Sequence, residues 1–237
     1  MTRLKDKVAL ITGTGGGQGR AAALRFAREG AIVVGCDTNE DAHKKTAELL
    51  ASEGLELHGD APVDLGDSEQ ARRWVDNAVA QFQHIDILYN NASAARFGGI
   101  EDFSVEDWHY TIRNELDLVF FVTHFAWPHL SRPGAVIINI ASTAAWCGSK
   151  VTGKAAHAAT KGAVVSMTRQ LAAEGAPLGI RAVSISPGII KTPGTAPFLD
   201  DPATRDALLD GVPLNRPGEP EDVVALALLV ASSEGAY

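Results

Sequence analysis

The stretch "KVALITGTGGGQG", residues 7–19, joins a run of apolar β-formers to a cluster of glycines. Residues 7–12 read as a strand whose apolar run has no polar alternation, as expected of a strand covered on both faces. Gly13, Gly17 and Gly19 follow in the spacing G-x-x-x-G-x-G. Backbone without Cβ atoms can turn sharply and come close to a pyrophosphate, whose charge a helix N-terminus stabilises. That helix is expected over about 18–29, with Gly30 just past its end. A glycine-rich turn alone is weak evidence, but between a first strand and a helix it is strong.

Outward from this turn the chain alternates. AIVVGC ends a second strand at Asp37, and a helix over roughly 40–52 stops at Gly54. LELHGDAPVDL holds a weaker third strand, followed by a helix over 67–82 with Trp74, Val75, Ala78, Val79 and Phe82 on its apolar side. IDILY (85–89) is a fourth strand, and 105–130 reads as one long helix stopped near Pro133. AVIINIA (135–141), a helix over 155–174 and RAVSIS (181–186) complete the pattern. Strands alternating with helices imply an α/β fold, a Rossmann-type doubly wound parallel sheet of order 3-2-1-4-5-6 with helices on both faces. Without repeats, linkers or low-complexity tracts, residues 1–237 read as a single domain.

A net charge of −8 argues against nucleic acid and anionic membrane surfaces as partners. The two cysteines, Cys36 and Cys147, make no disulfide framework, which suits a reducing compartment. With no signal-peptide pattern and no apolar stretch near membrane-spanning length, a cytoplasmic location is expected. Asp37 places a carboxylate where it can accept both ribose hydroxyls of an adenosine and repel a 2′-phosphate. Thr38 and Asn39 follow it, not a basic residue, so NAD is expected over NADP. The histidines at 43, 58, 84, 109, 124 and 129 read as surface or helix positions, and neither they nor Glu115 and Asp117 show metal-ligand spacing.

The whole chain resembles the short-chain dehydrogenase/reductase family in several separated motifs. TGTGGGQG looks like the family's T-G-x-x-x-G-x-G turn, which implies that Gly13, Gly17, Gln18 and Gly19 contact the cofactor. Asp64, followed by Leu65, resembles the aspartate that contacts adenine. Asn90-Asn91-Ala92 resembles N-N-A-G with Ser93 in place of the glycine, and Asn91 joins the cofactor set. Pro187-Gly188 with Thr192 is similar to the P-G-x-x-x-T segment at the nicotinamide end. Ser142 matches the catalytic serine, and Asn114 the asparagine that holds a proton-relay water.

The departure lies in "AAHAATKGA", residues 155–163. The family pattern is Tyr-x-x-x-Lys; Lys161 fits the lysine on the nicotinamide ribose, but position 157 is histidine. Tyr89, Tyr110 and Tyr237 do not restore the motif. The resemblance implies an NAD-dependent oxidoreductase moving a hydride between nicotinamide and a secondary alcohol or ketone, with His157 as the acid/base. A neutral imidazole accepts an alcohol's proton well but is a poor acid toward an alkoxide, which favours oxidation. Two alternatives stand beside it: a catalytically impaired NAD-binding protein with a structural or sensing role, and a redirected, lyase-type elimination.

Trp146 and Phe97 suggest an apolar substrate, with Cys147 as pocket wall. The resemblance makes 193–217 a lid over that substrate and Arg216 the residue before the last helix. It also implies a homodimer or homotetramer, and a seventh strand for which residues 1–237 offer no counterpart.

Overall fold

In a computed structural model describing residues 2–237, the apolar runs pair into one parallel sheet. Its strands are β1 (Val8–Thr12), β2 (Ile32–Cys36), β3 (Leu57–Asp60), β4 (Ile87–Asn90), β5 (Val136–Ile140) and β6 (Arg181–Ile185). The order is β3-β2-β1-β4-β5-β6, with Leu10 of β1 in register with Val34 on one side and Leu88 on the other. The four central strands are buried along nearly their whole length, as their continuous apolar runs require. The edges differ: β3 and β6 are only partly covered, so the expectation of strands buried on both faces fails there.

One face of the sheet packs against α1 (Gly17–Arg28) and the last helix, α9 (Pro220–Ala231). Ala21, Ala22, Ala23 and Ala27 let α1 lie close to the strands, and Phe26 fills the space beside Tyr89. The other face carries α3 (Ser68–Phe82), α5 (Leu118–Ala126) and α6 (Ala155–Gly175), with Trp74, Val75, Val122 and Val164 in its core. Between these lie α2 (Glu40–Ala51), α4 (Val105–Ile112), α7 (Ala196–Leu199) and α8 (Pro202–Leu209). Among the described residues no helix is long and apolar enough to cross a membrane.

The single helix expected over 105–130 is one unbroken helical run over 105–129 that changes type along its length. Between α4 and α5 lies a π-helical turn, Arg113–Asp117, and α5 runs into a 3-10 turn, Trp127–His129, that contains Pro128. The apolar spacing reads as one uninterrupted 3.6 period and does not mark the π turn, which admits an extra residue.

Candidate active site

The order of strands reverses between β1 and β4, and ligands of open α/β sheets bind in the crevice at the carboxyl ends of such strands. A cleft of about 460 Å³ opens there. Thr12, the last residue of β1, holds its two rims together. Its hydroxyl accepts hydrogen bonds from the backbone N–H groups of Asn91 and Ala92, both at 2.9 Å, and its carbonyl accepts the Asn91 amide at 3.0 Å. Asn90 points elsewhere. It donates to Asn139 at 2.8 Å and to Thr123 at 3.0 Å, locking β4 to β5 and α5 inside the core.

The glycine turn is braced from behind by residues that its motif does not contain. Arg20 donates to the carbonyls of Gly15 and Ala42 and to the Thr46 hydroxyl, while His43 meets the Thr14 hydroxyl at 2.8 Å. His43 is therefore a buried brace, where the sequence suggests an ordinary helix or surface position. Asp37 accepts from the N–H of Gly15 at 2.8 Å and of Asn39 at 2.9 Å, so its carboxylate shapes the turn as well as lining the cleft. Arg113, at the start of the π turn, donates to Asp64 at 2.7 Å and fixes the loop after β3.

A nicotinamide dinucleotide fits this cradle. Gly16 caps α1 without any side-chain acceptor, leaving first-turn N–H groups available to an anion. The Oε1 atom of Gln18, on the cleft wall, is buried without a hydrogen-bond partner. Gly13, Gly17, Asp37, Asp64, Leu65, Asn91, Pro187, Gly188 and Thr192 line the same cleft, so the structure brings together every expected cofactor position apart from Gly19. Gly19 lies just beneath, packed on the Gly13 carbonyl.

Ser142, His157 and Lys161 line the other end. Ser142 follows β5 and begins a 3-10 turn, its hydroxyl accepting from the Ala144 N–H at 3.1 Å. His157 and Lys161 stand one turn apart on α6, as their i, i+4 spacing dictates. The Lys161 ammonium is buried and donates to the Ile140 carbonyl at 3.2 Å. Burial lowers its pKa from the ordinary lysine value against the pull of a carboxylate 3.8 Å away.

That carboxylate belongs to Glu115. It is 1% exposed, and both of its oxygens lie 2.9 Å from Nδ1 of His157. Ser93 donates to Oε1 at 2.6 Å and Thr160 to Oε2 at 2.5 Å. Burial pulls the Glu115 pKa upward, but the hydrogen bond from His157 and the charge of Lys161 outweigh it and hold the group below the usual carboxylate range. Asn114, its neighbour, lines the cleft, yet its amide is turned back to donate to the Tyr110 carbonyl at 2.8 Å. Glu115 of the π turn, and not the Asn114 amide, thus meets His157. The sequence carries one signal for this: Glu115 falls on the stripe of Leu118, Val119, Val122 and Ala126, all buried.

Phe97 packs against the His157 ring with centroids 5.7 Å apart, and Phe198 of α7 meets Phe97 at 6.0 Å. Sequence reasoning places Phe198 only within the expected lid at 193–217 and does not single it out, because nothing local shows that α7 folds back onto Phe97. Trp146 is largely exposed, its indole N–H donating to Ser186 at 3.1 Å, and the Cys147 thiol points back to the Thr143 carbonyl. No tyrosine stands in for His157: Tyr89 is fully buried in the core and Tyr110 lies under the Arg96 guanidinium, 4.5 Å from its ring centroid. Among the described residues no cluster of potential metal ligands occurs.

Comparison with known proteins identifies relatives of the whole chain. A family model described as "Enoyl-(Acyl carrier protein) reductase" matches residues 13–237. The meso-2,3-butanediol dehydrogenase of Serratia marcescens is 34% identical over 236 residues, spanning 99% of this chain and 91% of its own. The trans-4-hydroxycyclohexanecarboxylate dehydrogenase of Sinomonas cyclohexanicum is 34% identical over 240 residues, with 99% and 89% covered. Among solved structures, a short-chain dehydrogenase from Burkholderia cenocepacia in complex with NADP superposes with a TM-score of 0.91 at 28% identity, covering 99% of this chain and 94% of that one.

Proposed function

The chain belongs to the short-chain dehydrogenase/reductase family and is an oxidoreductase of the alcohol/ketone class, and from that premise we propose that it oxidises a secondary alcohol using NAD, with His157 as the base. The observation that carries this reading is the position of His157 on the wall of the dinucleotide cleft, together with Ser142 and Lys161. When bound, the nicotinamide supplies a two-electron hydride acceptor. Ser142 orients the substrate oxygen through its hydroxyl. With Nδ1 held by Glu115, His157 has Nε2 left to take the hydroxyl proton as the carbon gives up its hydride. Lys161 sits on the ribose side, where its buried charge also offsets that of Glu115.

Asp37 at the end of β2 supports NAD over NADP, since a 2′-phosphate would meet a carboxylate already fixed by two backbone N–H groups. Phe97 and Phe198 form an apolar cap beside His157, which suits a substrate with hydrocarbon or ring surface next to its hydroxyl. Residues 193–217, carrying α7 and α8, act as the lid that brings Phe198 into place.

The test is NADH formation from a panel including meso-2,3-butanediol and trans-4-hydroxycyclohexanecarboxylate, for the native chain and for His157→Ala. Turnover by the native chain and a loss of about 10²–10⁴-fold in kcat on substitution are expected, the usual contribution of a positioned base. Unchanged turnover in His157→Ala would remove that residue from the chemistry.

A further inference from the structure

Glu115 is a buried carboxylate that the resemblance does not assign, and four groups converge on it. Ser93 comes from the loop after β4, while His157, Thr160 and Lys161 all come from α6. Three of them donate hydrogen bonds and the fourth supplies positive charge. An ionised carboxylate only accepts, so the imidazole nitrogen that faces it must carry a proton. Building on the acid/base reading of His157, we infer that Glu115 is the positioning residue of the site: it fixes the ring as the Nδ1–H tautomer, turns the Nε2 lone pair toward substrate and balances the imidazolium formed when the proton arrives.

The geometry supports this over a purely structural ion pair. Both carboxylate oxygens are equidistant from Nδ1 at 2.9 Å, which centres the ring on the carboxylate axis. Lys161 is farther, at 3.8 Å, and donates to the Ile140 carbonyl. Ser93 and Thr160 occupy the remaining lone pairs, so the carboxylate can neither rotate nor choose another partner. A ring so held can hand a proton on only through Nε2. The arrangement is the carboxylate–imidazole pairing by which other enzymes select a histidine tautomer, with Glu115 supplied from the π turn.

The experiment uses the full chain. In cofactor-free protein, ¹⁵N shifts of the His157 ring report which nitrogen bears the proton; Nδ1–H is expected, and an Nε2–H ring would overturn the inference. With meso-2,3-butanediol and NAD, Glu115→Gln should lower kcat by about 10²-fold or more with KM changed less than about threefold, and its ring spectrum should lose the single tautomer. Glu115→Asp should recover roughly tenfold of that loss, because it keeps the charge. If Glu115→Gln does not fold, the native ring spectrum and Glu115→Asp decide the matter. A folded Glu115→Gln with native kcat sinks the role of Glu115 while leaving His157 in place. Native kcat in His157→Ala sinks the acid/base reading itself.

Discussion

A methyl group on Gly19 would overlap the Gly13 carbonyl oxygen and stand 2.7 Å from the Asn91 amide. Neither neighbour can retreat, since the turn is tied to the Cys36 carbonyl and Asn91 is bonded to Thr12. Gly19→Ala is therefore expected to destabilise the protein by about 3 kcal/mol or more, read from chemical denaturation, and to weaken dinucleotide binding with it. A loss below about 0.5 kcal/mol, the size of an ordinary surface change, would show that the turn has room to relax. At this scale Gly13 and Asp37 are legible from their places at strand ends, while Ser142, His157 and Lys161 are picked out by the family resemblance. Glu115 is legible only through its place on the apolar stripe, and the residue beside it, Asn114, offers the amide that the family resemblance seeks.

The elements carry their own stop signals. Asp67 accepts from the N–H groups of Glu69 and Gln70 and caps α3, whose Trp74, Val75 and Ala78 fill the core. Asp67→Ala should lower the urea midpoint, in keeping with the loss of an N-cap, with the m-value unchanged. An unchanged midpoint would mean that packing alone sets where the helix begins. Caps and glycine stops make α1, α2 and α3 readable to within a residue or two. The stretch 105–130 resists such reading because nothing in its apolar spacing marks a π turn, which depends on how α4 and α5 settle against α6, α3 and the sheet. The half-exposed edges β3 and β6 resist it for a related reason: strand composition reports burial on average, and position in the sheet decides it.

The molecule as a whole couples cleft and stability. A dinucleotide bound only to the folded state stabilises it by mass action, about 2.7 kcal/mol at a hundredfold excess over Kd. NAD should therefore raise the melting temperature more than NADP at equal concentration, and Asp37→Ser should narrow that difference. Equal shifts with the native chain would end the case for NAD preference. Because Asp37 also holds the Gly15 N–H, the variant is expected to melt somewhat lower without ligand. The proposed selectivity and the stability of the turn would share one carboxylate.

By itself the sequence determined the alternation of strand and helix, the parallel sheet that buried apolar runs demand, the glycine turn at the first strand's end, and the i, i+4 pairing of His157 with Lys161. These are local, fixed by periodicity, the absence of Cβ atoms and short-range geometry. Only the tertiary structure decided that Glu115 faces His157, that Phe198 folds back over Phe97, and that Arg20 and His43 brace the turn. Most of those contacts join residues far apart in the chain, and a buried charge reveals its purpose only when its partners are assembled around it.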